Sequence, residues 1–207
     1  DSQSALKALS DKGYLTRQEI ALPMSPPACV DSQALTLSNA QAQLSEQLQR
    51  QLEHFNTTLL EGVTGSGKTE VYFSVMDTVL RQPASQILIL VPEIGLTPQL
   101  LARVEKQFSC EIGVLHSHMS DKQRLSTWLK ISRGCLRIVI GTRLAVFTPM
   151  PQLKLIIIDE EHDASFKQQE GFLYHARDVA IYRAKQADIP VILGSATPSF
   201  ESLHNVS

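Results

Sequence analysis

TLLEGVTGSGKT, running from Thr58 to Thr69, is the stretch on which the reading of this chain turns. Gly62 is followed by four residues and then by Gly67-Lys68-Thr69, the spacing of a phosphate-binding P-loop. Leu59 and Leu60 precede it as a short apolar strand, and Val71, Val75 and Val79 follow at helical spacing, which sets the glycines at a strand-to-helix turn. That context suits phosphate. Glycines let backbone N–H groups wrap an anion, and a helix starting near Lys68 adds its unpaired amides and positive dipole end. Gly62, Val63, Thr64, Gly65, Ser66, Gly67, Lys68 and Thr69 are therefore the candidate nucleotide-binding residues, with Lys68 neutralising β/γ-phosphates and the Thr69 hydroxyl ligating Mg²⁺. The plain alternative is a Gly-rich turn.

Outward from this loop, strands and helices alternate. Residues 39–54 are Gln-rich, with Leu44, Leu48 and Leu52 forming one helical face. Strands are predicted at 86–91, 112–115, 137–140, 155–158 and 191–193, and helices at 100–108, 121–132 and 175–186, with Thr97 able to cap the first of these. This alternation predicts an α/β fold with a mostly parallel, doubly wound sheet. At the other end, residues 2–22 read as a short helix stopped at Gly13 and an extended run from Tyr14. That pair resembles the end of a winged-helix domain, and a simple arm is the alternative. Pro23, Pro26 and Pro27 mark a linker. The domain boundaries are accordingly 1–22, 23–34 and 35–207.

Strand 155–158 ends in Asp159-Glu160-Glu161-His162. Carboxylates at the carboxyl end of a buried strand are costly unless a metal or a reaction uses them. Asp159 reads as the Mg²⁺-organising acid and Glu160 as the general base that polarises water. A helix N-cap with an acidic first turn is the alternative. The loop Ser165–Arg177, SFKQQEGFLYHAR, follows directly. Phe166, Phe172 and Tyr174 offer faces for base stacking, Lys167 and Arg177 offer phosphate contacts, and Gly171 gives freedom. For Phe166 a place in the core is as good a reading.

Composition bounds the rest. The net charge is −2, which argues against a generic nucleic-acid coat, yet residues 103–143 carry eight basic and three acidic residues. That segment is either a solvated helix face or a phosphate-contacting surface. Three well-separated cysteines, no C-x-x-C pair and no basic-then-apolar leader fit a soluble protein of a reducing cytoplasm.

The P-loop, the VPEIGLTPQ run at 91–99, Gly141-Thr142-Arg143, Asp159–His162, FKQQEG into YHARD, and Gly194-Ser195-Ala196-Thr197-Pro198 occur in that order. The set resembles the first RecA-type lobe of DExH helicases, and more closely the replication-restart primosomal helicases, over residues 35–206. The resemblance implies ATP and Mg²⁺ as cofactors and three-prime-to-five-prime unwinding of forked and single-stranded DNA. It also implies a catalytic set of Lys68, Asp159, Glu160 and His162, the histidine sensing the γ-phosphate. Gln41 matches the glutamine that reads the adenine edge, with a helix-surface residue as the alternative. Gly141, Thr142 and Arg143 match a motif that tracks single-stranded DNA, or they form an ordinary turn. Ser195 and Thr197 match the motif coupling hydrolysis to lobe movement. Family members often carry Gly at the position of His118 and a smaller residue at that of Leu144. Primosomal proteins and single-strand-binding protein are the implied partners. A second lobe, its arginine finger and a zinc-binding cysteine cluster are expected outside this chain, which would then be nearly inactive alone. A double-strand DNA translocase and a nucleotide-gated interaction module remain as alternatives.

Overall fold

In the computed structural model, residues 2–14, 32–63 and 65–206 are described. Six strands, β1 (Thr57–Glu61), β2 (Gln86–Leu90), β3 (Ile112–Leu115), β4 (Ile138–Gly141), β5 (Leu153–Ile158) and β6 (Val191–Ser195), form one sheet in the order β1-β6-β5-β2-β4-β3. Every pairing is parallel. Helices α2 (Asn39–Gln49), α3 (Lys68–Leu80), α4 (Pro98–Phe108), α5 (Asp121–Ser132) and α6 (Ala176–Ala187) are interleaved with the strands, and α7 (Phe200–Val206) follows β6.

The period of two along each strand sorts the core into two layers. Ile87 and Ile89 point to the side where α2, α3 and α4 place Leu48, Val75, Met76 and Val104. Leu88 and Leu90 point to the other, against Ile131 of α5 and Ala176, Ala180 and Ala184 of α6. Burial on both faces explains why the central strands read as unbroken apolar runs. The fold class expected from the alternation is the one observed.

Differences lie at the edges. The leucine register suggested a helix to His54, but α2 ends at Gln49. Beyond it Asn56 donates its side-chain amide to the His54 carbonyl, and Asp188 accepts from the Phe55 N–H, so local side-chain bonds replace the next helical turn. Leu52 still packs on the core from the turn. Helix α1 (Ser2–Asp11) forms as read, with Ser4 and residues 7–11 exposed. The extended run that completes the winged-helix resemblance, and most of the proline linker, fall on residues 15–31, outside the described residues. Where description resumes, Gln33 is tied to Gln107 at the end of α4 in both directions.

Candidate functional site

Helices α2, α4, α5 and α6 each begin with a side-chain cap, from Ser38, Thr97, Ser120 and His175. Helix α3 does not: its N-cap is Gly67, in the left-handed region at φ 86°, and no side chain accepts from its first turn. Its leading N–H groups are thereby left for an anion. The left-handed backbone favours glycine here, and a Cβ would also displace the Gln41 amide, 2.0 Å away. Gln41 is the N3 residue of the α2 capping box, accepting from the Ser38 N–H at 2.9 Å, and it donates to the Ser66 carbonyl at 3.2 Å. The structure thus places Gln41 against the P-loop, its amide shared between α2 and the loop. Lys68 folds back to donate to the Gly62 carbonyl at 2.6 Å.

Opposite the loop stands the acidic box. Val63, Gly65, Gly67, Lys68, Thr69, Glu70, Arg103, Asp159 and Glu160 line one cleft of about 310 Å³. Thr64 lies outside the described residues. Asp159 continues β5 and accepts from the Tyr72 hydroxyl at 3.0 Å. Burial raises its pKa above the ordinary carboxylate value, with Tyr72 and Lys68 opposing and Glu160 reinforcing. Burial and the neighbouring carboxylates push the Tyr72 phenol well up, so it stays a donor. A desolvated carboxylate and a threonine hydroxyl on one cleft, with a lysine beside them, are a donor set that fits Mg²⁺ and phosphate. Tyr72 escaped the reading of the sequence. Its signal was Gly194, where a Cβ would lie 1.6 Å from the Tyr72 hydroxyl, so the glycine of Gly-Ser-Ala-Thr makes room for it.

Glu160 has φ 48°, an uncommon conformation for a residue with a side chain. The turn aims its carboxylate at three neighbours: Lys68 Nζ at 3.5 Å, the Ala196 N–H at 3.4 Å and His162 Nδ1 at 3.7 Å. His162 Nδ1 also lies 2.7 Å from the buried Ser195 hydroxyl, which accepts from the Thr197 N–H at 3.1 Å. Lys68, Glu160, His162, Ser195 and Thr197 are therefore one connected chain of contacts, and Thr197 reaches the surface.

The DNA-facing candidates are only partly as expected. Phe166 is fully buried and belongs to the core, and Arg177, read as a phosphate contact, is 8% exposed and paired with Glu161 at 2.9 Å. Arg177 follows the N-cap of α6 and faces inward, a placement that polar neighbours in the sequence do not reveal. Burial pushes the Glu161 carboxyl up, but donation from the Ser199 N–H, Arg177 and Ser202 outweighs it and holds the pKa below the ordinary value. Glu161, Ser199 and Ser202 had no assigned role in the sequence. Phe172 at 79% and Leu173 at 68% are exposed, and Tyr174 is half-buried, edge-on to Phe147 at 5.0 Å and tilted against Phe172 at 6.1 Å. A bridge between Lys167 and His175, with Gln168 N–H donating to the Tyr174 carbonyl, makes residues 167–175 a hairpin whose turn holds Gly171 at φ 71°.

Of Gly141-Thr142-Arg143, Gly141 packs too closely on Ala145 and the Leu115 carbonyl to admit a Cβ, and Thr142 is buried. Arg143 donates to the carbonyls of Ser165 and Lys167, both at 3.0 Å, and so binds the hairpin base. Leu144, next to Arg143, is 56% exposed, and His118 is exposed in the turn after β3, near His116. The basic excess of 103–143 does not form one face: Arg137 is buried on carbonyls of Leu80, Gln82 and Ser85, Arg103 pairs with Glu70 on the cleft, and Lys130 with Glu111.

Residues 38–206 match the family described as DEAD/DEAH box helicase. The chain is 47% identical over its whole length to the replication restart protein PriA of Haemophilus influenzae, and 40% identical over 97% of its length to that of Bacillus subtilis. It spans 29% and 26% of those two relatives, respectively. Among solved structures, RecG bound to a three-way DNA junction superposes with TM-score 0.59 at 24% identity, covering 83% of this chain and 22% of that one. The DEAD-box helicase Mss116 bound to single-stranded RNA and UDP-BeF gives 0.59 at 17%, covering 81% and 37%. These two likenesses speak for the RecA-like fold. With the family match extending over most of its length, the chain belongs to the DEAD/DEAH box helicases.

Proposed function

We propose that this lobe forms one wall of the ATP site in a three-prime-to-five-prime DNA helicase of replication restart, acting on forked and single-stranded DNA in the cytoplasm. The observation that supports this best is the unbroken chain of contacts from Lys68 through Glu160 and His162 to Ser195. A P-loop alone binds nucleotide; one whose lysine shares a carboxylate with the Ser-Ala-Thr turn can also report what is bound.

In this reading Mg-ATP supplies the phosphoanhydride whose cleavage drives movement. Lys68 leaves the Gly62 carbonyl to meet the β/γ-phosphates, the free N–H groups of α3 cradle them, and Thr69 and Asp159 hold Mg²⁺. Glu160, fixed by its left-handed turn, orients water and takes its proton. His162 senses loss of the γ-phosphate and passes the change to Ser195, hence to Thr197 at the surface. Gln41, joined to the P-loop through Ser66, is placed to read the adenine edge. The exposed Phe172, with Tyr174 and Lys167, meets DNA, and Arg143 ties that hairpin to the strand β4 turn. A second RecA-like lobe would close the cleft and bring the arginine finger. Primosomal proteins, single-strand-binding protein and the zinc-binding cysteines belong to other parts of such a machine.

The test is Glu160→Gln in a polypeptide joining this lobe to a second RecA-like lobe. Nucleotide affinity should hold within about twofold while kcat falls by about 10²–10⁴, the usual worth of a general base. Unchanged turnover would show that Glu160 is not the base. Displacement of a labelled strand from a fork separates this reading from a double-strand translocase, which moves without parting strands. A purely nucleotide-gated module would lose nothing in turnover on the same substitution.

A further inference from the structure

The exposed hairpin at residues 167–175 stands on two arginines. Its upstream foot is held by Arg143, through the carbonyls of Ser165 and Lys167. Its downstream foot runs into α6, where Arg177 turns inward. Arg177 Nη1 donates to Glu161 Oε2 at 2.9 Å and to the Ser199 hydroxyl at 2.7 Å, and Nε donates to Asp178 at 3.1 Å. Glu161 is fully buried, and its remaining acceptor positions are filled by the Ser199 N–H at 2.8 Å and the Ser202 hydroxyl at 2.9 Å. The side chain of Glu161 thus points away from the nucleotide cleft that Asp159 and Glu160 line. It joins three segments: the acidic box, the foot of the hairpin, and the start of α7 just after Ser195-Ala196-Thr197.

Such a carboxylate has no spare freedom. Donors on both oxygens make the cluster rigid, and a buried pair cannot be pulled apart without leaving a charge bare. Displacement of α6 must therefore carry Glu161 with it. One peptide upstream is Glu160, strained at φ 48° and touching Lys68 and the Ala196 N–H. The Glu161 N–H itself donates to the Gly194 carbonyl at 3.0 Å, so the same movement reaches the strand end that carries Ser195.

We propose that the Glu161–Arg177 pair is a positioning clasp that transmits the state of the DNA-contacting hairpin to Glu160 and Ser195, without touching DNA or nucleotide itself. The inference rests on the function proposed above, and its test separates the two. In a two-lobe polypeptide, turnover is followed against single-stranded DNA concentration for Glu161→Gln, Arg177→Met, Arg177→Lys and Phe172→Ala. Single clasp variants can fail to fold by leaving one buried charge, so the double variant Glu161→Gln/Arg177→Met, which removes both, is included and its thermal unfolding recorded.

The clasp variants should lose at least fivefold of the turnover reached at saturating DNA, with the half-saturating DNA concentration and Mg-nucleotide Kd within twofold of the parent. Arg177→Lys should recover part of the loss, and Phe172→Ala should instead raise the half-saturating DNA concentration. A role in folding alone would not produce that split. If the folded double variant keeps full stimulation, or loses it only through weaker DNA binding, the clasp is refuted while the helicase reading stands. If the parent shows no DNA-stimulated turnover, both are overturned.

Discussion

At Asp159 burial outweighs the attraction of Lys68 and the hydrogen bond from Tyr72. Burial raises the Asp159 pKa in the folded chain above the ordinary aspartate value, so the ionised form costs stability at neutral pH. That cost is present above the folded pKa and relieved as pH falls through it. Asp159→Asn keeps an oxygen for the Tyr72 hydroxyl and removes the charge, and it should raise the Tm of the nucleotide-free chain at pH 7. A gain of about 1 kcal/mol corresponds to about 2–4 °C at this size. The gain should vanish in acid, where the aspartate is already neutral, and the variant should need more Mg²⁺ for nucleotide binding. An unchanged or lower Tm at pH 7 would mean that the carboxylate is not strained. Lys68 sits across the cleft with its ammonium on a carbonyl. Lys68→Ala deletes the main phosphate counter-charge, and titration with a fluorescent nucleotide should show binding lost rather than merely weakened.

Among the elements, the hairpin carries the sharpest expectation. Phe172 is 79% exposed and touches only the half-buried Tyr174 among the aromatic rings, so Phe172→Ala should leave the Tm unchanged within about 1–2 °C, surface changes usually lying within about ±0.5 kcal/mol. Stacking on an aromatic is worth about 1–3 kcal/mol per base, so DNA should bind at least about fivefold more weakly. DNA titration of turnover in a two-lobe polypeptide reads this directly, and full-affinity binding by the variant would remove the hairpin from the DNA path. The strands, the capped helices and the P-loop were legible in the sequence because each is a local pattern: a run such as Gln86–Leu90, a cap such as Thr97 three residues before Leu100. Phe166, Tyr72 and Arg177 were not legible in the same way. Whether an aromatic or an arginine faces inward depends on what distant segments bring up to it: Asp159 lies 87 residues from Tyr72, and Ser199 lies 22 from Arg177. The Gly194 of Gly-Ser-Ala-Thr shows the limit best, since its want of a Cβ is explained by a tyrosine on α3, packed across from strand β6.

At the scale of the chain, the described residues line one side of the cleft. Its lining runs from Val63 to Glu160 around the mouth of a single sheet, and among the described residues the only arginine on it is Arg103, already paired with Glu70 at 2.6 Å. Arg103 is half exposed and engaged with Glu70, so among the described residues the cleft lining holds no unpaired arginine to meet charge developing on a leaving phosphate. An arginine finger is worth about 10³–10⁵ in rate. The 207-residue chain on its own should therefore bind Mg-nucleotide weakly and turn it over hardly at all, with or without DNA. Binding is measurable even so. A ligand at 100 times its Kd stabilises the native state by about 2.7 kcal/mol, which is about 5–11 °C in Tm at this size. A millimolar Mg-nucleotide titration of thermal unfolding should thus give a saturable upward shift that Lys68→Ala abolishes. Rapid DNA-stimulated hydrolysis by this chain alone would require a catalytic arginine within it, and would replace the one-wall picture of the site.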